Sequence, residues 1–154
     1  VPVRRAVDGT LEVLLVTGRQ TGRWVIPKGW PSKRLDDRAA AAREAHEEAG
    51  VSGVISSEPI GSYLYTKPRS WGRRPINVRV FLLLEVEESE IWPERHERIR
   101  AWFSTSIAAM IVHEPSLAAL LKGLGDCEGD PMPYLSMSEA PSSDMTYRLE
   151  QSPA

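Results

Sequence analysis

The chain has 154 residues, 42% hydrophobic and 26% charged, with 19 Lys and Arg against 21 Asp and Glu. That length is one domain's worth, enough for a core that buries about 70% of the unfolded surface. A net charge of −2 gives no electrostatic case for a nucleic-acid or membrane partner, and the single cysteine, Cys127, excludes an intrachain disulfide and fits a reducing, cytoplasmic compartment.

Asp8-Gly9 reads as a turn, and Leu11 to Thr17 as a short strand after it. Gln20 to Gly22 is a second turn and Trp24 to Ile26 a second strand. Pro27 to Arg34 is a loop rich in Pro, Gly and Lys. Asp36 or Asp37 can cap the next helix, because a short carboxylate reaches the orphan amides of a first turn. Arg38 to Ala49 is a strong helix, with six alanines, no β-branched residue and no internal Gly or Pro. Gly50 can take the left-handed conformation that ends it. Ala42, Ala45 and Ala49 lie away from the carboxylates of this helix, where small side chains allow close packing on a sheet.

Ile60 to Tyr65 is the next strand, and Lys67 to Arg74 a basic loop. Ile76 to Val86 is the longest strand candidate. Val78, Val80, Leu82, Leu84 and Val86 form its apolar face, with Asn77, Arg79 and Glu85 opposite. Glu87 to Arg100 is a charged loop with a turn of helix, and Trp102-Phe103 a short strand. Ser104 or Ser106 caps a helix through about Val112. Pro115 opens a last helix ending near Gly123 or Gly125. From Asp126 the composition shifts to Pro, Ser, Met and acidic residues. The expected organisation is therefore a domain over 1–125 and a tail over 126–154, flexible or lying on the surface. No apolar run approaches the ~20 residues that span a bilayer, and the first residues carry no signal-peptide apolar region. The order of elements suggests an α/β fold with a mixed sheet and helices on both faces.

Residues 43–51 read Arg-Glu-Ala-His-Glu-Glu-Ala-Gly-Val. On a helix, positions i, i+3 and i+4 share a face, so Glu44, Glu47 and Glu48 stand on one side. Like charges at that spacing repel by a few tenths of a kcal/mol per pair, which calls for a compensating cation. Arg43 can reach Glu47 one turn on, orienting it by a charge-assisted hydrogen bond. Glu44 and Glu48 are then left as a pair suited to a hard divalent cation such as Mg2+, with Mn2+ as the alternative. An acidic helix face that is merely solvated is the competing reading.

Together with Pro27-Lys28-Gly29 upstream, this stretch resembles the Nudix box, G-x5-E-x7-R-E-U-x-E-E-x-G-U with U a bulky aliphatic. Gly29, Arg43, Glu44, Glu47, Glu48, Gly50 and Val51 fall on their places. Ala45 is small where the pattern has a bulky residue, and Leu35 stands where it has its first Glu. Asp36 and Asp37 follow out of register. The resemblance implies a Nudix-type α/β/α sandwich whose box forms loop–helix–loop and carries the metal. It implies hydrolysis of a diphosphate linkage in a nucleoside or inositol (poly)phosphate, with water activated by metal held on Glu44, Glu48 and Glu47. The family has no single fixed catalytic base, so Glu47 is open between metal ligand and water-directing group. Members often add an acid from a later loop; Glu94 and Glu97 are the candidates, with Glu97 preferred for its spacing to Trp102.

Lys28 and the Gly29 backbone enter the box, where Lys28 can hold a phosphate or simply be solvated. Lys67, Arg69, Arg73 and Arg74 place four positive charges in eight residues. With Arg79 they are the remaining substrate-binding candidates. Together with Pro27-Lys28-Gly29-Trp30 they resemble the diphosphoinositol and diadenosine polyphosphate branch of the family. Trp30 and Trp71 can stack a base or pack. His46 faces away from the carboxylates, and His96 and His113 have no metal spacing to another His or Cys. The partner expected is a small phosphorylated molecule, and the chain itself a monomer or homodimer. A catalytically weak, nucleotide- or protein-binding regulator is the alternative, and Leu35 is the feature that favours it.

Overall fold

Seven consecutive residues, Leu11–Thr17, form the strand around which the molecule is built. The computed structural model describes residues 1–31, 33–67 and 74–126, with Lys67 and Arg74 described by their backbone alone. In chain order the strands are β1 (Val3–Arg5), β2 (Leu11–Thr17), β3 (Trp24–Val25), β4 (Val51–Ile55), β5 (Gly61–Lys67), β6 (Arg74–Val80), β7 (Leu83–Glu88) and β8 (Arg100–Ser104). The helices are α1 (Asp37–Ala49), between β3 and β4, and α2 (Thr105–Ile111) and α3 (Pro115–Asp126), after β8.

β2 pairs antiparallel with β1 and β3 along one edge and with β8 along the other, Val13 lying opposite Val3 and Phe103. β4 pairs with β7 and β5 with β6, both antiparallel. A parallel bridge, Pro2 to Leu83, ties the β2 sheet to β7 and gives the assembly its mixed character. Successive side chains of a strand point to opposite faces. Val13 and Leu15 therefore enter a core with Tyr63, Leu82, Ala108, Leu117 and Leu121, under α2 and α3. Leu14 and Val16 enter a second core with Val25, Ala45, Ala49, Val51 and Leu83, under α1. Helices on both faces of the sheet make the α/β/α sandwich.

The expected strand from Ile76 to Val86 is interrupted at Phe81-Leu82. Leu82 belongs to the α2/α3 core and its neighbour Leu83 to the α1 core. A regular strand also sends consecutive residues to opposite faces, but here the pairing partner changes from β5 to β4 at the break. The alternation of hydrophobicity cannot report a change of partner. β1 and β4 have no strand signature of their own; β1 is three residues, Val-Arg-Arg, with only Val3 buried. α3 ends at Asp126, next to Gly125 as expected, and contains Gly123. Each interior glycine costs about 1 kcal/mol relative to alanine. Packing of Leu117 and Leu121, with Leu120 and Leu124 against the same core, outweighs that.

The helix caps match the sequence. The Asp36 side chain accepts from the Ala39 amide at 2.7 Å, and Ser104 accepts from the Ile107 amide at 3.3 Å. Gly50 ends α1 at φ 63°, ψ 36°, donating back to the α1 carbonyls of Ala45 and His46. The Trp92 ring also lies where a Gly50 Cβ would be, so this position excludes side chains twice over.

Candidate active site

Between α1, the 26–31 loop and the β5–β6 hairpin lies a cavity of about 950 Å³. The loop and the helix build its floor jointly. The Lys28 amide donates to Glu48 Oε2 at 3.0 Å. A Cβ on Gly29 would fall 2.0 Å from the Glu44 carboxyl carbon, so any side chain here would push that carboxylate from its place against the loop. Lys28 places its ammonium 4.4 Å from the centre of the Tyr65 ring, a cation–π contact that ties the loop to β5. Glu44, Glu48, Arg43, Lys28, Gly29, Arg79 and the exposed Trp30 all line this space.

The acids are not an open pair. Arg43 donates to Glu44 at 3.0 Å and lies 3.7 Å from Glu47, so it serves both neighbours rather than Glu47 alone. Glu48 is buried and is ion-paired with buried Arg98, whose guanidinium also pairs with Glu94 and donates to the Thr17 carbonyl at 2.9 Å. The expectation that Glu44 and Glu48 are left as a free pair is therefore corrected, and the competing reading of a merely solvated acidic face does not hold at Glu48. Burial pushes the Glu48 carboxyl up from its ordinary value, while the Lys28 amide and the Arg98 charge pull it the other way.

Glu47 stays half-exposed outside the cavity lining, and its backbone carbonyl accepts from the Glu94 amide at 3.1 Å. That bond brings the 92–98 turn against α1. Of the two later acids, Glu94 lines the cavity. Glu97, the one preferred from spacing, lies outside it and pairs with Arg19 at 3.0 Å. Residues 92–98 form turns, which rotate successive side chains in a way that counting along a strand does not follow.

Arg79 projects from β6 to the cavity rim and pairs there with Asp37 of α1. Arg69, Arg73 and Trp71, the side chains of Lys67 and Arg74, and the 127–154 stretch with Cys127 lie outside the described residues. His46 is half-buried beside the α1 C-terminus, and His96 and His113 are exposed. Leu35 is half-buried next to the cap residue Asp36.

Sequence reasoning missed Arg98 and Arg100. Arg100 donates to the carbonyls of Ala49, the last residue of α1, and of the cap Gly50 at 2.6 and 3.2 Å and stacks 4.1 Å from the Trp92 ring centre, clamping the end of α1. The Glu94–Arg98 spacing of four is a readable signal for a helical-turn ion pair. Nothing local shows that Arg98 reaches Glu48, fifty residues earlier in the chain.

Among the described residues no three His, Cys, Asp or Glu side chains converge as a ready-made metal cluster. The carboxylates lining the cavity, Asp37, Glu44, Glu48 and Glu94, are hard oxygen donors and fit a cation such as Mg2+ in kind. They are turned onto arginines.

The chain belongs to the Nudix family: the NUDIX domain model matches residues 2–122. Nudix hydrolase 21, chloroplastic, of Arabidopsis thaliana is 37% identical over 101 residues, covering 65% of this chain and 50% of its own length. The chain thus spans about half the length of the plant relatives it matches. Diphosphoinositol polyphosphate phosphohydrolase 3-beta of Homo sapiens is 32% identical over 139 residues, covering 86% of this chain and 80% of that protein. In fold it is similar to the C. elegans Ap4A hydrolase, with a TM-score of 0.57 at 22% identity over 80% of this chain and 90% of that one.

Proposed function

We propose that this chain hydrolyses a diphosphate linkage in a nucleoside or inositol (poly)phosphate, with Mg2+ or Mn2+ held by Glu44 and Glu48 and assisted by Glu94. The observation that carries this reading is the shared floor of the cavity, where the Gly29 backbone lies on the Glu44 carboxylate and the Lys28 amide holds Glu48. A bound Mg2+ would polarise phosphorus and lower the pKa of its water. The protein's part is positioning. Arg43 orients Glu44 through its 3.0 Å bond, and the loop fixes where Glu48 points. Lys28 and Arg79 offer positive charge along the rim, and Trp30 and Tyr65 offer aromatic surface. Glu47, Arg69, Arg73, Lys67 and Arg74 are further candidates, the first for directing water and the others for holding phosphates. Similarity to the diphosphoinositol polyphosphate phosphohydrolase supports an anion-rich substrate.

The test is a substrate panel with Mg2+ and identified products: nucleoside triphosphates, dinucleoside polyphosphates, ADP-ribose and inositol pyrophosphates. Metal-dependent release from at least one class is expected. No turnover across the panel would favour the second reading, a regulatory binder, for which Leu35 in the place of the box's first Glu is the specific observation.

A further inference from the structure

We infer that Arg98 is the protein's built-in counter-ion for the cavity carboxylates Glu48 and Glu94, and that a divalent cation must take Glu48 from this guanidinium in order to bind. The inference rests on the metal-site reading above and goes beyond it by naming the competitor.

Three observations carry it. Arg98 and Glu48 are both buried, their side chains 8% and 7% exposed, so neither can turn to solvent when the other leaves. Both oxygens of Glu48 are engaged: Oε1 accepts from Arg98 Nη2, and Oε2 from the Lys28 amide. Finally, Arg98 is anchored independently of Glu48, through Nη1 to the Thr17 carbonyl at 2.9 Å and through Nε to Glu94. Releasing Glu48 breaks one of its three ties and leaves the guanidinium in place. Glu44 differs, because its partner Arg43 is 42% exposed and can swing into water.

A buried carboxylate without a partner is costly, and the metal-free protein avoids that cost by supplying its own cation. The same cation then opposes the metal. Charge-assisted contacts of this kind are the strong ones. Stability without metal and affinity for metal are therefore coupled in opposite directions through one side chain, and linkage makes that coupling reciprocal.

The experiment titrates the full chain with Mn2+, counting unbound ion by its EPR signal, and follows thermal melting with and without the metal. Arg98→Met removes the charge at similar length. It should melt lower than wild type without metal, bind Mn2+ at least about tenfold tighter, and gain more in melting temperature when Mn2+ is added. Arg98→Lys keeps the charge but cannot span both carboxylates, and should fall between the two. Mn2+ affinity in Arg98→Met equal to or weaker than wild type, or a metal-induced rise no larger, overturns the inference. If Arg98→Met does not fold, Arg98→Lys decides: tighter binding than wild type supports the inference, and equal or weaker binding overturns it. Glu48→Gln separates the two layers. If wild type binds no Mn2+, or Glu48→Gln binds it as well as wild type, the metal-site reading fails and takes the inference with it. If binding depends on Glu48 but not on Arg98, only the inference fails.

Discussion

The two faces of the sheet solve the same packing problem with different side chains. On one face Leu117 and Leu121 of α3 share a core with Val13, Leu15 and Leu82. On the other α1 touches Leu14, Val16 and Val51 with Ala45 and Ala49. Large side chains bury more apolar area, about 25 cal/mol per Å², so the α3 face contributes more to stability. Alanines bury little but bring the helix axis close to the sheet. They also leave Arg43, Glu44, Glu47 and Glu48 to face a cavity or solvent. The α1 face carries the cavity and the acids proposed to hold a metal, and the α3 face carries the bulkier core.

That division can be broken from either side. Leu121→Ala, at a fully buried position, should destabilise the fold by about 2–5 kcal/mol in chemical denaturation while leaving turnover per folded molecule unchanged. A loss of activity in the folded fraction would show that the two faces are not separate. Glu48→Gln should act the other way, lowering kcat/KM by about 100-fold or more, on the scale of a disturbed metal site. Because Glu48 is buried against Arg98, it should also lower stability by roughly 1–3 kcal/mol. Near wild-type turnover at saturating Mg2+ would remove Glu48 from the metal.

Gly29→Ala comes next. Its Cβ would meet the Glu44 carboxylate at 2.0 Å, so loop and carboxylate must separate. The expected result is a raised half-saturating Mg2+ concentration, about tenfold, with a melting temperature within a few degrees of wild type. An unchanged metal dependence would show that Glu44 does not need this loop. The smallest effect is expected from Leu35→Glu. Leu35 is half-buried beside the α1 cap and outside the cavity lining, so activity should change by no more than about twofold, or ~0.4 kcal/mol. Activity that appears only in this variant would recast the wild type as a binder.

Much of this molecule was legible in sequence because its cause is local. β2, the cap at Asp36, the left-handed Gly50 and the proline at the start of α3 each depend on backbone geometry and near neighbours. The Nudix box was legible for the same reason: its carboxylates are ordered by one helix, three and four residues apart. What sequence could not decide was which of those carboxylates would be occupied. Arg98 meets Glu48 across fifty residues, Glu94 rather than Glu97 reaches the cavity, and the long β6–β7 run changes partner at Phe81-Leu82. Ion pairs and strand partners depend on distance in space, and hydrophobic periodicity records only which side of its own element a residue lies on. The chain determined that an acidic helix would follow a Pro-Lys-Gly loop; only the packing of that helix against the 92–98 turn decided that its last acid, Glu48, is buried and already held by an arginine.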